Sequence, residues 1–254
     1  MHLIPLPALA DNYIWLLHDD AGHALVVDPG DADVVLRALA ARQLQLCAIL
    51  LTHHHQDHIG GVARLLAQRH VEVYAPPDSR IQATTHPVDD GDTLELELPR
   101  ARFSVITIPG HTSSHVAYVG EGLLLCGDTL FSLGCGRLFE GTPAQMLTSL
   151  DRLSTLPATT QVCAAHEYTA ANGRFAHTIE PDNPALQARL KQVARLRAQH
   201  LPTLPVTLGS ELASNPFLRV DAAPVAAWCR REHAIEHDRI ACFAALRAAK
   251  DGFH

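Results

Sequence analysis

Short apolar runs separated by turn residues dominate the first two thirds of the chain. Tyr13 to Leu17, Ala24 to Val27 and Cys47 to Leu51 read as strands, the second closed by the turn Asp28-Pro29-Gly30, and Asp33 to Ala41 has helical spacing. Val62 to Gln68 predicts another helix and Val71 to Tyr74 another strand. Leu94 to Leu98, Phe103 to Ile108, Val116 to Val119 and Leu123 to Cys126 continue the series of strands. Met146 to Leu153 reads as a helix and Gln161 to Ala164 as a last short strand. From about Tyr168 the strand signals fade. Leu186, Leu190, Val193 and Ala194 recur as an amphipathic helix would require. Leu201 to Pro216, with Pro202, Pro205 and Gly209, predicts an irregular connector, and Ala222 to Ala249 resumes helical spacing. The pattern predicts an α/β domain over 1–167 followed by a mostly helical domain over 168–254.

Composition narrows the function. Apolar residues make up 47% of 254 positions, yet no run of eighteen occurs and no basic-then-apolar leader opens the chain, so a soluble cytoplasmic protein without membrane association is expected. The formal net charge is −7 and the only lysines are Lys191 and Lys250, which excludes the basic footprint of a nucleic-acid binder. An anionic ligand would need a local cluster of cations. The six cysteines contain no C-x-x-C pair and read as small apolar core residues in a reducing compartment rather than as a disulfide framework. A monomer is expected.

Histidine is the exception, with seventeen in all. The segment Thr52-His53-His54-His55-Gln56-Asp57-His58 leaves the strand Cys47 to Leu51 at its C-terminal end, where α/β proteins commonly carry catalysis. In an extended loop His53 and His55 point to one side, and Asp57 and His58 turn toward a second point, so one loop can feed two cations. Imidazole and carboxylate suit zinc, iron or manganese, and the lack of thiolate argues against a closed structural zinc site. Two ions need further ligands, and three stand just past later strands: His111 after Pro109-Gly110, Asp128 after Gly127, and His166 after Gln161 to Ala164. Any one alone would read as an ordinary strand-end residue; the set together points to a binuclear metal centre. His54, His70, His115 and His177 are left with structural roles, His54 facing away from the ions.

At these residues the chain resembles the metallo-β-lactamase superfamily, whose T-H-x-H-x-D-H signature matches Thr52 to His58. Ile108 to Thr112, Cys126 to Phe131, Gly134 to Thr142, His166 to Thr169, Glu180 to Pro184 and the tail Leu246 to Phe253 are similar to the glyoxalase II family, so the resemblance spans nearly the whole chain. It implies a four-layer αββα sandwich with a C-terminal helical domain that holds glutathione. It implies two divalent ions, zinc with iron or manganese as alternatives: His53, His55 and His111 on one, Asp57, His58 and His166 on the other, Asp128 bridging. It implies S-D-lactoylglutathione as substrate, cleaved to D-lactate and glutathione, with Asp57 and Asp128 catalytic beside a metal-bridging hydroxide. Arg137, Phe139, Tyr168, Arg247 and Lys250 fall where the family contacts glutathione. From spacing alone Lys250 is an ordinary helix-end cation. Ser114 and Phe139 depart from the family pattern, which commonly has Gly and in some members Tyr there.

Other chemistry on the same scaffold forms the competing set: a lactonase, β-lactamase or phosphodiesterase, since fold and metals do not fix substrate, or a persulfide dioxygenase or di-iron oxidoreductase. The complete ligand set argues for two ions, against a one-iron dioxygenase and against a metal binder without catalysis.

Overall fold

The computed structural model describes residues 1–236 and 238–253. In chain order its elements are β1 (His2–Ala8), β2 (Asn12–His18), β3 (His23–Val27), α1 (Ala32–Arg42), β4 (Gln45–Leu50), α2 (Gln56–Ile59), α3 (Val62–Gln68), β5 (Glu72–Ala75), β6 (His86–Pro87), β7 (Thr93–Leu96), β8 (Ala101–Thr107), β9 (Val116–Gly120) and β10 (Leu123–Gly127). There follow β11 (Leu130–Phe131), β12 (Gly134–Cys135), α4 (Pro143–Ser154), β13 (Gln161–Ala164), α5 (Thr169–Ile179), α6 (Pro184–Ala198), β14 (Val206–Thr207), α7 (Leu208–Ser214), a 3-10 turn (Pro216–Leu218), α8 (Ala223–His233) and α9 (Arg239–Asp251). Contacts group the chain into two compact units. One comprises Met1–Thr107, Ser114–Gly127 and Cys163–His166; the other comprises Ile108–Ser113, Asp128–Val162 and the chain from Glu167 onward.

In the first unit β1 to β6 form one sheet in sequence order, antiparallel through β3 and parallel from β3 to β6. β2 reads Asn-Tyr-Ile-Trp-Leu-Leu-His and is buried at all but its last position, as expected of a strand covered on both faces. Ile14, Leu16, Val26, Ile49, Leu51 and Val73 are fully buried in one core cluster, each contributing about 1.5–3 kcal/mol by burial. A second, antiparallel set, β7-β8-β9-β10, takes the end of β13 beside β10. The parallel β3 and β4 end together, so the loops that leave them, at Asp28 and at Leu51, emerge at the same sheet edge. Tyr118, on β9, donates its buried hydroxyl to the carbonyls of Leu51 and Tyr74 at 2.9 and 3.0 Å, fixing that edge. Burial raises the Tyr118 pKa well above the usual phenol value, so the hydroxyl stays a donor.

The loops are held at backbone contact. A Cβ on Gly30 would lie 1.8 Å from the carbonyl oxygen of Asp57, and one on Gly61 2.4 Å from that of Pro29. Asp31 then caps α1, its carboxylate accepting from Asp33 N–H and Val34 N–H.

In the second unit β11 and β12 form a hairpin, β14 pairs with the start of β13, and α4 opens on a capping box made by Thr142 and Gln145. Phe217 packs against Phe175 and Phe243 at ring separations of 6.1 and 5.8 Å. Beside these rings lies a buried polar network: Glu211 accepts from Ser132 Oγ and Leu133 N–H, both at 2.7 Å, and Arg189 donates to Ser132 Oγ and the Thr203 carbonyl.

The structure departs from the sequence pattern at three places in this unit. The stretch Leu201 to Pro216 is irregular only as far as Pro205: beyond it Val206 pairs with Val162, and the Thr207 side chain caps α7 by accepting from Ser210 N–H. The helical spacing from Ala222 to Ala249 is broken into α8 and α9, because Ala234 adopts a left-handed conformation (φ 54°) that ends α8. That reversal brings Cys229 of α8 to Cys242 of α9, 13 residues on, and the two form a disulfide rather than separate core thiols. Cys126, Cys135 and Cys163 are buried thiols, as expected, and Cys47 is partly exposed. No helix among the described residues is long and apolar enough to cross a membrane.

Candidate metal centre and anion-binding cluster

The H-x-H-x-D-H loop runs from the end of β4 into α2. Asp57, His58 and His166 offer three ligand atoms within 4.8 Å of one another, as do Asp28, His53 and His58. His166 enters from the end of β13, which Trp15 fixes by donating Nε1–H to the Ala164 carbonyl at 3.0 Å.

Hydrogen bonds behind the rings decide which nitrogen faces inward. His58 Nδ1 lies 3.0 Å from Asp28 Oδ2 and His166 Nδ1 lies 2.7 Å from Asp11 Oδ1. A carboxylate accepts only, so both Nδ1 atoms carry the proton and both Nε2 atoms present lone pairs. Those Nε2 atoms stand 3.5 and 3.3 Å from Asp57 Oδ2. Three electron-rich atoms thus converge, with Asn12 Nδ2 donating to Asp57 Oδ2 at 3.0 Å. The set fits a divalent cation, whose charge turns this convergence into coordination. His53 is set in the same way through a relay: its Nδ1 is 3.0 Å from Thr52 Oγ1, which donates to Asp28 Oδ2 at 2.7 Å. Its Nε2 then faces His55 Nδ1 at 3.1 Å. Asp28, with Thr52 N–H also donating to it at 2.8 Å, therefore orients two of the rings. Neither Asp28, Asp11 nor Asn12 was singled out by sequence reasoning. The one cue was the turn Asp28-Pro29-Gly30 closing β3.

His54 Nδ1 lies 3.5 Å from Asp78 Oδ2. Ser114 donates Oγ–H to the same oxygen at 2.6 Å, and the guanidinium of Arg80 beside Asp78 holds its carboxyl well below the usual carboxylate range. The hydroxyl at position 114 thus has a partner that glycine would not supply.

In the second unit His111 repeats the ring logic. Its Nδ1 lies 2.9 Å from the Arg137 carbonyl, so Nε2 is the lone-pair nitrogen, 3.4 Å from Asp128 Oδ2. Gly136 has no room for a side chain here, since its Cβ would meet the Asp128 carbonyl oxygen at 2.0 Å. Phe139, 63% exposed, sets its ring edge-on to His111 at 5.2 Å. Tyr168 packs edge-on against Phe131 at 5.1 Å.

A cation cluster stands in the same unit. Arg247 is buried, donates to the Cys135 carbonyl, lies over the Phe217 ring and pairs with Asp251 at 3.1 Å. Arg137 reaches the same Asp251 at 3.4 Å. Lys250 has its pKa lowered first by burial and then by the charges of Arg247, Arg137 and Arg174. Arg174, on α5, is the member of this cluster that sequence reasoning missed. One carboxylate among four cations leaves a surplus of positive charge in a protein of net charge −7, which is the local patch an anionic ligand requires.

The comparisons with known proteins agree with this chemistry. The metallo-beta-lactamase superfamily profile matches residues 10–166, and the profile described as hydroxyacylglutathione hydrolase C-terminus matches residues 167–253. A hydroxyacylglutathione hydrolase of Methylobacillus flagellatus is 50% identical over 251 residues, covering 99% of each chain. The chain belongs to the hydroxyacylglutathione hydrolase family. A second member, from Xylella fastidiosa, is 50% identical over 255 residues, covering all of this chain and 98% of its own. A crystal structure of ETHE1 from Myxococcus xanthus, 23% identical and covering both chains fully, superposes with a TM-score of 0.67. This chain carries the metallo-β-lactamase fold, with a helical C-terminal region.

Proposed function

We propose that the chain is a glyoxalase II: a metal-dependent thioesterase that hydrolyses S-D-lactoylglutathione and related S-2-hydroxyacylglutathiones to the hydroxy acid and glutathione. The observation that carries this reading is the convergence of Asp57 Oδ2 with the lone-pair nitrogens of His58 and His166, in a chain half identical to hydroxyacylglutathione hydrolases along its whole length. By the family's ligand pattern His53, His55 and His111 would hold one divalent ion and Asp57, His58 and His166 a second, with Asp128 serving both. Zinc is the first choice, and iron or manganese suits the same imidazole and carboxylate donors. Divalent ions bound there supply Lewis acidity, which acidifies water and polarises a carbonyl.

The remaining work falls to the chain's own residues. Asp57 Oδ2, steadied by Asn12, orients the attacking water. Arg137, Arg247 and Lys250 bind the carboxylates of glutathione, while Tyr168 and Phe139 offer aromatic faces to its apolar atoms. Phe139 has no hydroxyl to donate, so that contact is packing alone. Glutathione leaves as a thiolate, and with a thiol pKa of about 8.5 its departure needs no general acid. In this division residues 1–167 carry the chemistry and 168–254 carry most of the glutathione contacts. Work on a soluble glutathione thioester suits a cytoplasmic monomer.

Loss of thioester absorbance with S-D-lactoylglutathione tests the reading. Rapid hydrolysis that a chelator abolishes and added zinc restores is expected, with a β-lactam and a lactone left intact. A thioester that survives while a control substrate is consumed would move the assignment to another hydrolase of the superfamily.

Lys250→Met is expected to raise KM about tenfold with kcat within about twofold, the loss of one charge-assisted contact. Because burial and then the neighbouring guanidinium charges lower the Lys250 pKa, this lysine loses its charge at a lower pH than a free lysine does. The wild-type KM should therefore climb as pH rises toward the ordinary lysine range, and the climb should be absent from Lys250→Met. Parallel KM profiles in the two proteins would remove Lys250 from the contact set.

A further inference from the structure

The disulfide between α8 and α9 does not sit in solid core. A cavity of about 250 Å³ reaches it, with Cys229, Cys242, Arg230, Arg239, Asp221 and Asp238 in its wall. Cys242 is the more accessible of the two cysteines, at 4% against 1%. The wall carries both signs of charge: Arg239 is held by Asp221 at 2.8 Å and by Asp151 of α4 at 2.9 Å, and Asp238 caps α9 at Ala241 N–H. A small thiol bearing carboxylates and an ammonium, the charge pattern of glutathione itself, matches such a wall better than a neutral thiol would.

The bond also lies on the helix that matters for affinity. Arg247 and Lys250 stand on the last turns of α9, and Cys242 stands on its first turns. Arg239 and the disulfide both tie the start of this helix, one by charge and one covalently.

We propose that Cys229–Cys242 is a thiol-exchange site for glutathione-class thiols, and that its redox state sets the affinity of the α9 cations for anionic substrate. The affinity half rests on the reading of Arg247 and Lys250 as glutathione contacts. In the first step the sulfur of an incoming thiolate bonds to Cys242 Sγ, the Cys229–Cys242 bond breaks, and the electron pair leaves on Cys229 Sγ, which takes up the proton the small thiol gave up. The product is a mixed disulfide on Cys242 and a thiol on Cys229. A second small thiol attacks the non-protein sulfur of the mixed disulfide, releasing Cys242 as a thiol. The protein has gained two electrons and two protons, and two small thiols have become one small disulfide. Hydrolysis of the proposed substrate releases this same thiol, so accumulating product would open the bond and slacken the grip on the next substrate.

The test equilibrates the metal-loaded protein in glutathione buffers of increasing reduced-to-oxidised ratio, quenches in acid, and counts alkylated cysteines and glutathione adducts by intact mass while KM and kcat are measured in parallel. Two thiols are expected to titrate together, with an adduct mapping to Cys242, and KM to rise about fivefold on reduction, the low end of usual coupling, with kcat within about twofold. The double variant Cys229→Ser/Cys242→Ser should show the high KM at every ratio. Six thiols at every ratio, or a bond that never opens, would overturn the exchange site. A bond that opens while KM stays constant would overturn the coupling. A protein that hydrolyses no thioester would overturn the substrate reading instead, and the alkylation count would still decide the exchange site.

Discussion

Asp57→Ala is expected to bind one equivalent of metal, against the two proposed for the wild type, and to lose about 10³-fold in kcat. The side chain supplies one of three converging ligand atoms, and the other two, His58 Nε2 and His166 Nε2, are neutral lone pairs. Without the Asp57 carboxylate the negative charge offered to a dication there is halved, leaving Asp128 alone to balance it. Lewis-acid assistance amounts to several kcal/mol, and at about 1.4 kcal/mol per decade its loss gives the thousandfold figure. Asn12 would also lose the acceptor that fixes its amide. Metal content by plasma emission and thioester turnover on the same preparation check both halves. Two metal equivalents with wild-type kcat would sink the role assigned to Asp57.

The second large effect concerns stability. Glu211→Ala is expected to lower the unfolding free energy by about 3–5 kcal/mol, the usual cost of breaking a buried charge network, and the melting temperature by roughly 10 °C for a chain of this size. Glu211 is fully buried and takes hydrogen bonds from Ser132, Leu133 N–H and Asn215. Its removal leaves those donors and the buried Arg189 guanidinium without the charge they surround. Burial raises the Glu211 pKa even against these donors. The folded chain therefore holds the proton to higher pH than the unfolded chain, and this group's contribution to stability falls as pH rises above the ordinary carboxylate range. Circular-dichroism melts of the metal-loaded variant check the figure; a shift below about 1 kcal/mol would show that the network packs rather than holds.

Legibility in the sequence followed the range over which each interaction acts. Strands such as Tyr13 to Leu17 and Leu123 to Cys126 announce themselves because burial on both faces demands an unbroken apolar run, and the structure has β2 and β10 there. β1 was missed because its prolines, Pro5 and Pro7, read as breakers. α5 was missed because it opens on Thr-Ala-Ala-Asn-Gly, with little helical apolar spacing. The left-handed Ala234 that parts α8 from α9 carries no glycine to mark it. At the site, the residue types of the H-x-H-x-D-H loop were visible because one loop supplies them. Asp28 and Asp11 were not, because their meaning lies in hydrogen bonds to rings 30 and 155 positions away. The disulfide was hidden for the same reason: two cysteines 13 apart say nothing until the turn between their helices is known.

The contact at Gly30 and Gly61 makes the loops after β3 and β4 one mechanical part. Their separation is set by the thickness of a peptide group and not by the size of any side chain. Changes of volume on the outer faces of α1 or α3 therefore have no lever by which to shift Asp57 or His58. Drift in those helices leaves the ligand loop where it is, and the scope for altering the chemistry by small steps lies in residues such as Asp28, Asp11 and Asn12, which turn the ligands without moving the chain that bears them.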